Sequence, residues 1–235
     1  MEHFRRLFDL LSIQPRLLQI NGVLVSQSDG TFPLFEGIDR KGEKKLNKSN
    51  VRQLVVTSML SSIAFVLMML NFPFPGLPTY LKIDFSDVPA ILATLLYGPV
   101  AGIVVEGIKN ILHYIFQGSG VPIGQAANFI AGVLFILPVA FIYKRLQNTK
   151  GILFSLSVGT LIMTVVMSVL NYFLILPAYT WFFDFPVLSS DELRTAIVAG
   201  ILPFNVIKGL IITILFAIIF ANMRPWIMNQ RKAFK

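Results

Sequence analysis

The segment AIVAGILPFNVIKGLIITILFAIIFA, from Ala196 to Ala221, is apolar for long enough to cross a bilayer, which takes about 20 helical residues. Two strongly polar residues stand inside it, Asn205 and Lys208. They are three apart, so on a helix they share one face. A lysine in the middle of a membrane helix costs about 2.5–3.5 kcal/mol on insertion scales. The chain must therefore give Lys208 a partner or a task.

Similar runs recur along the chain. Segment one runs from Leu54 to about Phe72, segment two from about Val88 to Leu96, and segment three from about Ala101 to Phe116. Gly98 and Pro99 break the helix between the second and third. Segment four covers about Ile123 to Tyr143, with Pro138 as a kink, and segment five runs from Ile152 to about Leu176. Segment six is the stretch above. Two connections are too polar to span: PFPGLPTYLKIDFSD after segment one and the acidic, aromatic PAYTWFFDFPVLSSDELR after segment five. The chain is 55% hydrophobic and 14% charged, with a mean hydropathy of +0.72. A soluble domain of this size cannot hide that much apolar surface, so the fold class is all-α, a polytopic membrane protein.

Lys and Arg set the orientation. Arg40, Lys41, Lys44, Lys45, Lys48 and Arg52 precede segment one; Lys144, Arg145 and Lys150 follow segment four; Arg224, Arg231, Lys232 and Lys235 close the chain. The other loops hold Lys82 and Arg194 against Asp84, Asp87, Asp184, Asp191 and Glu192. A six-transmembrane-helix bundle with both termini cytoplasmic satisfies this distribution. The net charge of +8 then reflects membrane topology and not nucleic-acid binding. There is no cysteine, which excludes disulfides and thiolate chemistry, and His3 and His113 stand far apart and suggest no metal cluster.

In that topology the intramembrane polar groups gather in the outer half. Asn205 lies about 13 Å below Ala196 and Lys208 about 18 Å, at 1.5 Å per residue. Asn171 lies in the outer part of segment five, and Gln125 and Asn128 open segment four. One account is interhelical hydrogen bonding, worth about 0.6 kcal/mol per bond. The other is a pocket for a flat, neutral or weakly acidic, hydrogen-bonding ligand.

Segment three carries a second cluster, Glu106, Lys109 and His113, on roughly one helical face. It reads as a structural ion bridge that makes both charges tolerable in the bilayer, the alternative being a proton relay. In segment one, Ser58 and Ser62, with Ser61 and Ala64 beside them, form a strip of small residues that suits close helix approach, within the bundle or against another membrane subunit. The sequence contains no GxxxxGK[ST], GxSxG or HExxH motif, so neither P-loop ATP binding nor these hydrolytic chemistries is indicated.

Five motifs occur in order: NFPFPGLPTYLKIDFSDVPA, YGPVAGIVVEGIKN, GVPIGQAANFIAG, LNYFLILPAYTW and AGILPFNVIKG. Together they resemble the RibU family, the riboflavin-specific substrate-binding (S) components of energy-coupling factor transporters, over about Val51 to Trp226. The resemblance implies a six-helix bundle in the bacterial cell membrane, with riboflavin bound from outside as substrate and no cofactor or enzymatic activity. It also implies a transmembrane coupling subunit and two cytoplasmic ATPases as partners, which would supply the missing ATP motif, and a toppling of the S component in the membrane. By motif match the flavin contacts would be Gln125, Asn171, Asn205 and Lys208, with Gly120 and Leu77 from the loops. Asn205 and Lys208 would hydrogen-bond the isoalloxazine edge. Ser58 and Ser62 would meet the coupling subunit, serines standing where the family more usually has alanines.

Alternatives outside this resemblance are an S component for another vitamin, an intramembrane enzyme using Glu106, Lys109 and His113, and a stand-alone secondary transporter. The last would call for inverted repeats or a second membrane-buried carboxylate, and neither is evident in the sequence.

Three parts are expected: an extension over residues 1–50, a membrane domain over 51–226 and a basic tail over 227–235. In the extension, Phe4, Leu7, Phe8 and Leu11 fall on one face of an interfacial helix. A competing expectation is that residues 1–45 are an untranslated leader. Lys41-Gly42-Glu43 can be encoded by a purine-rich ribosome-binding sequence, Leu46 by the alternative start TTG, and no Met lies between Met1 and Met59. The intact mass of protein made from the native gene separates the two, the full chain being 26.3 kDa.

Overall fold

The first helix carries apolar residues on every side. In the computed structural model this helix, α1, is Lys48–Met69. The structure describes residues 48–78, 80–118, 120–183 and 188–233; both expectations for the N-terminal extension fall outside them. Two residues past the end of α1, Asn71 donates from its side-chain Nδ2 to the Met68 carbonyl at 2.8 Å and satisfies one of the carbonyls a helix end leaves open. The non-spanning stretch that follows contains a short antiparallel ribbon, β1 (Phe72–Pro73) against β2 (Lys82–Ile83), with Phe72 opposite Ile83 and Pro73 opposite Lys82.

Helix α2 is Asp87–Tyr97. Pro89 lies in its first turn, where a missing N–H costs nothing. Ten of its eleven residues are buried, so its apolar surface meets protein on all sides; this is why it can be short. Gly98, with φ at 94°, turns the chain in a backbone region that side chains avoid, and Pro99 opens α3 (Pro99–Gln117) at once. Helix α4 is Ile123–Arg145, and Pro138 lies inside it without ending it. Asn148 then caps α5 (Thr149–Leu170), its side chain accepting from the Gly151 N–H at 2.6 Å.

The last third of the chain departs from the expected loops. Helix α5 widens into a π-helical segment, Asn171–Ile175, and continues as α6 (Leu176–Phe183). Much of the aromatic connection is therefore helical. The chain resumes at α7 (Ser190–Thr195), started by a capping box in which Ser189 and Glu192 satisfy each other's backbone N–H. A second π-helical segment, Ala196–Ile201, leads into α8 (Leu202–Ala233). This helix runs through Pro225 and past the expected end at NMRPW. Each π-helical segment ends at the isoleucine of an Ile-Leu-Pro triplet, Ile175-Leu176-Pro177 and Ile201-Leu202-Pro203, whose leucine and proline open the next α-helix. A proline ring collides with the carbonyl four residues back. In both places the ladder shifts to a five-residue step, Leu176 N–H to Asn171 and Leu202 N–H to Ile197.

Helix α4 packs on α5, α5 on α8, and α3 on α1, α2 and α4, while α2 also meets α8. Ala64, Ile91, Val105, Phe135, Ile136, Leu156, Ile212 and Phe216 are buried at these contacts. The start of α1 and the end of α8 lie together, Arg52 Nη2 donating to Gln230 Oε1 at 2.7 Å. By length and composition four helical stretches can cross a membrane: Asn50–Met69, Ile123–Arg145, Thr149–Phe182 and Ser190–Gln230. The described fold is thus an all-α membrane protein with one minor ribbon.

Candidate functional site

Lys208 on α8 is 4% exposed and Lys109 on α3 fully buried. Each needs anions, and one residue supplies both. Asp87 opens α2, where the free N–H groups of a helix start favour a carboxylate. Its Oδ1 lies 2.5 Å from Lys109 Nζ and its Oδ2 3.2 Å from Lys208 Nζ. Lys109 also reaches Glu106 Oε2 at 2.9 Å and donates to Ser86 Oγ at 2.7 Å. Lys208 reaches Asp84 Oδ2 at 3.7 Å and donates to Asn128 Oδ1 at 3.0 Å. Asp84 is itself held by the backbone N–H of Ser86 at 2.9 Å and by the Ser86 hydroxyl. From Asn128 a chain of amides continues, its Nδ2 donating to Asn110 Oδ1 at 3.3 Å and Asn110 Nδ2 to the Glu106 carbonyl at 2.8 Å. One network therefore ties the first loop, α2, α3, α4 and α8 together.

This corrects the expectation of two separate clusters. Asp84 and Asp87 belong in sequence to the polar connection after segment one, yet the fold buries both at the lysines. A second buried carboxylate beside Glu106 is thus present on another helix. His113, by contrast, does not enter the ion pairs. Its Nδ1 lies 3.5 Å from Gln125 Nε2. Gly132 on α4 faces the Glu106 carboxylate so closely that a Cβ there would overlap it.

Asn171 opens the first π-helical segment and Asn205 follows the second by four residues; both are buried, and the two segments lie against each other. In each, Nδ2 donates to the carbonyl four residues back, Met167 at 2.8 Å and Ile201 at 2.9 Å. This fixes the amides and, among the described residues, leaves both Oδ1 atoms without a donor. The region thus offers two oriented acceptors, and Asn205 sits one helical turn from the Lys208 donor. Leu77 and Gly120 do not join the network among the described residues. The Leu77 N–H donates to the Phe74 carbonyl at 3.2 Å, and the Gly120 carbonyl accepts from the Tyr114 hydroxyl at 2.8 Å. Ser58 and Ser62 lie on an exposed face of α1, Ser62 Oγ donating to the Ser58 carbonyl at 3.1 Å. Among the described residues no group of acids and histidines is arranged to hold a metal ion.

Residues 52–220 match the family described as ECF transporter, substrate-specific component. The chain belongs to this family. A riboflavin transporter of Bacillus subtilis, FmnP, is 68% identical over 78% of this chain and 97% of its own length. A riboflavin transporter of Staphylococcus aureus, RibU, is 47% identical over 77% of this chain and 95% of its own length. A solved structure described as the S component of a bacterial ECF transporter superposes with a TM-score of 0.65 at 45% identity, covering 75% of this chain and 97% of the other. The protein is accordingly a membrane transporter component and not an enzyme.

Proposed function

We propose that the chain binds riboflavin from the outer side of a bacterial cell membrane and delivers it inward together with a transmembrane coupling subunit and two cytoplasmic ATPases. The observation that carries this is the 68% identity to a riboflavin transporter along nearly all of that protein's length. The geometry agrees. The isoalloxazine edge alternates carbonyl acceptors with an N–H donor; Lys208 offers donors, and Asn171 and Asn205 offer acceptors fixed by their own helices. Gln125, Leu77 and Gly120 would border the same site from α4 and the loops.

The bundle would cross the membrane six times with both termini cytoplasmic. Two features support this: the Lys and Arg bias of the flanks, and the contact of Arg52 with Gln230, which brings the two ends of the bundle to one side. Ser58 and Ser62, exposed on α1, would face the coupling subunit.

The test is to purify the full chain from cells grown with riboflavin, extract the bound small molecule and identify it by mass. Riboflavin with flavin absorption is the expected result. A colourless preparation that also fails to quench added riboflavin fluorescence refutes the proposal.

A further inference from the structure

Among the described residues, the charges buried around Lys208 do not sum in favour of the lysines. Asp84, Asp87 and Glu106 stand against Lys109 and Lys208, all five nearly or fully buried. With every group ionised the cluster carries one surplus negative charge; with a proton on Glu106 it is neutral. In neither state is it positive. Lys208 on its own would suit a phosphate, because an ammonium is a strong point-charge partner for one. Flavins occur both as the uncharged vitamin and as its 5′-phosphate, and a phosphomonoester carries about −1.5 to −2 charge at neutral pH.

We propose that Asp84 and Asp87 are specificity residues: by occupying Lys208 they leave the site without net positive charge, so that it admits neutral riboflavin and excludes the phosphate ester. The inference rests on the riboflavin function proposed above. Asp84 tips the sum. Asp87 divides its two oxygens between two lysines, whereas Lys208 is the cation paired with Asp84 among the described residues. Neutralising Asp84 would leave the cluster one charge more positive without touching the Lys109 pairs. Inside a membrane bundle such a change acts at range. At an effective dielectric near 20, one unit charge alters the affinity for another about 10 Å away by roughly tenfold.

The experiment compares dissociation constants for riboflavin and riboflavin 5′-phosphate, by quenching of flavin fluorescence on the purified full chain. Wild type should prefer riboflavin. Asp84→Asn should narrow that preference by about tenfold or more, and Asp84→Glu, which keeps the charge, should retain it. A purely structural lesion weakens both flavins alike and leaves their ratio unchanged, so an unchanged ratio in Asp84→Asn overturns the inference. A second measurement needs only wild type: riboflavin 5′-acetate, an uncharged ester, should bind much more tightly than the phosphate. If the acetate is rejected as strongly, the exclusion is steric and the inference fails. Wild type that binds riboflavin upholds the proposed function whichever way these comparisons fall. Wild type that binds neither riboflavin nor its phosphate refutes that function and this inference with it.

Discussion

Lys208 is held from three directions at once, by Asp84 in the first loop, Asp87 on α2 and Asn128 on α4. Its removal should therefore be felt twice. Losing a hydrogen bond from a charged donor to the flavin weakens binding by about 1.5–3 kcal/mol, roughly ten- to a hundredfold. Leaving Asp84 and Asp87 undercompensated destabilises the bundle as well; breaking a buried pair costs about 3–5 kcal/mol, and here less, because Asp87 keeps Lys109. Lys208→Ala should lower both riboflavin affinity and melting temperature in detergent. Adding Asp84→Asn should recover part of the melting temperature but none of the affinity. An affinity equal to wild type in Lys208→Ala would remove Lys208 from the site. In the sequence, Lys208, Asn205 and Asn171 were legible because they interrupt apolar runs. Asp84 and Asp87 were not, because they sit in a polar stretch that only the fold turns into the start of a buried helix. Charge counting held the available signal. Lys109 and Lys208 inside the bundle with Glu106 alone leave a cation over, and the acids next to the helix start Ser86-Asp87-Val88-Pro89 are the nearest candidates to balance it.

At the scale of elements, the apolar runs located the cores of α1 to α5 and of α8, since a membrane helix is apolar around most of its circumference and needs no periodicity to be seen; the short helices α6 and α7, in the connection after segment five, gave no such run. The parts that were not legible are those where proline and aromatic residues carry two meanings. Pro177 and Pro225 resemble helix ends, yet the helix passes through both. Pro177 is tolerated because the π-helical turn before it removes the collision with the preceding carbonyl. Gly132 shows how closely the elements are fitted. It leaves the volume that the Glu106 carboxylate occupies between α3 and α4. Gly132→Ala should destabilise the protein by about 1–3 kcal/mol through overpacking. Glu106→Ala in the same chain should restore much of this, because it vacates that volume while Asp87 still compensates Lys109. Thermal denaturation of the two single variants and the double variant decides the matter. Strictly additive losses would mean that Gly132 and Glu106 do not share the space.

For the whole molecule, the question is which outer face meets lipid and which meets another subunit. Leu54, Val55 and Val66 of α1 are 53%, 46% and 56% exposed, and lipid covers such residues as readily as protein does. Ser58 and Ser62 on the same helix are exposed too, and they lack the bulk that would hold a partner helix away. The Ser62 hydroxyl is turned back onto the Ser58 carbonyl, so little polar surface is left to oppose an apolar neighbour. In lipid, where there is no hydrophobic drive between helices, close backbone approach over small residues is a main source of association. The proposed flavin site would draw on the first loop, α2, α4, α8 and the π-helical segments, none of which contains these serines. Ser58→Leu and Ser62→Leu should therefore leave the riboflavin dissociation constant of the isolated protein within about twofold of wild type, surface changes of this kind lying within about 0.5 kcal/mol. Co-purification with the coupling subunit and riboflavin uptake by cells should both fall sharply. Intact complex and normal uptake in both variants would show that α1 presents this face to lipid. Loss of riboflavin binding in the isolated variants would show instead that α1 supports the site directly.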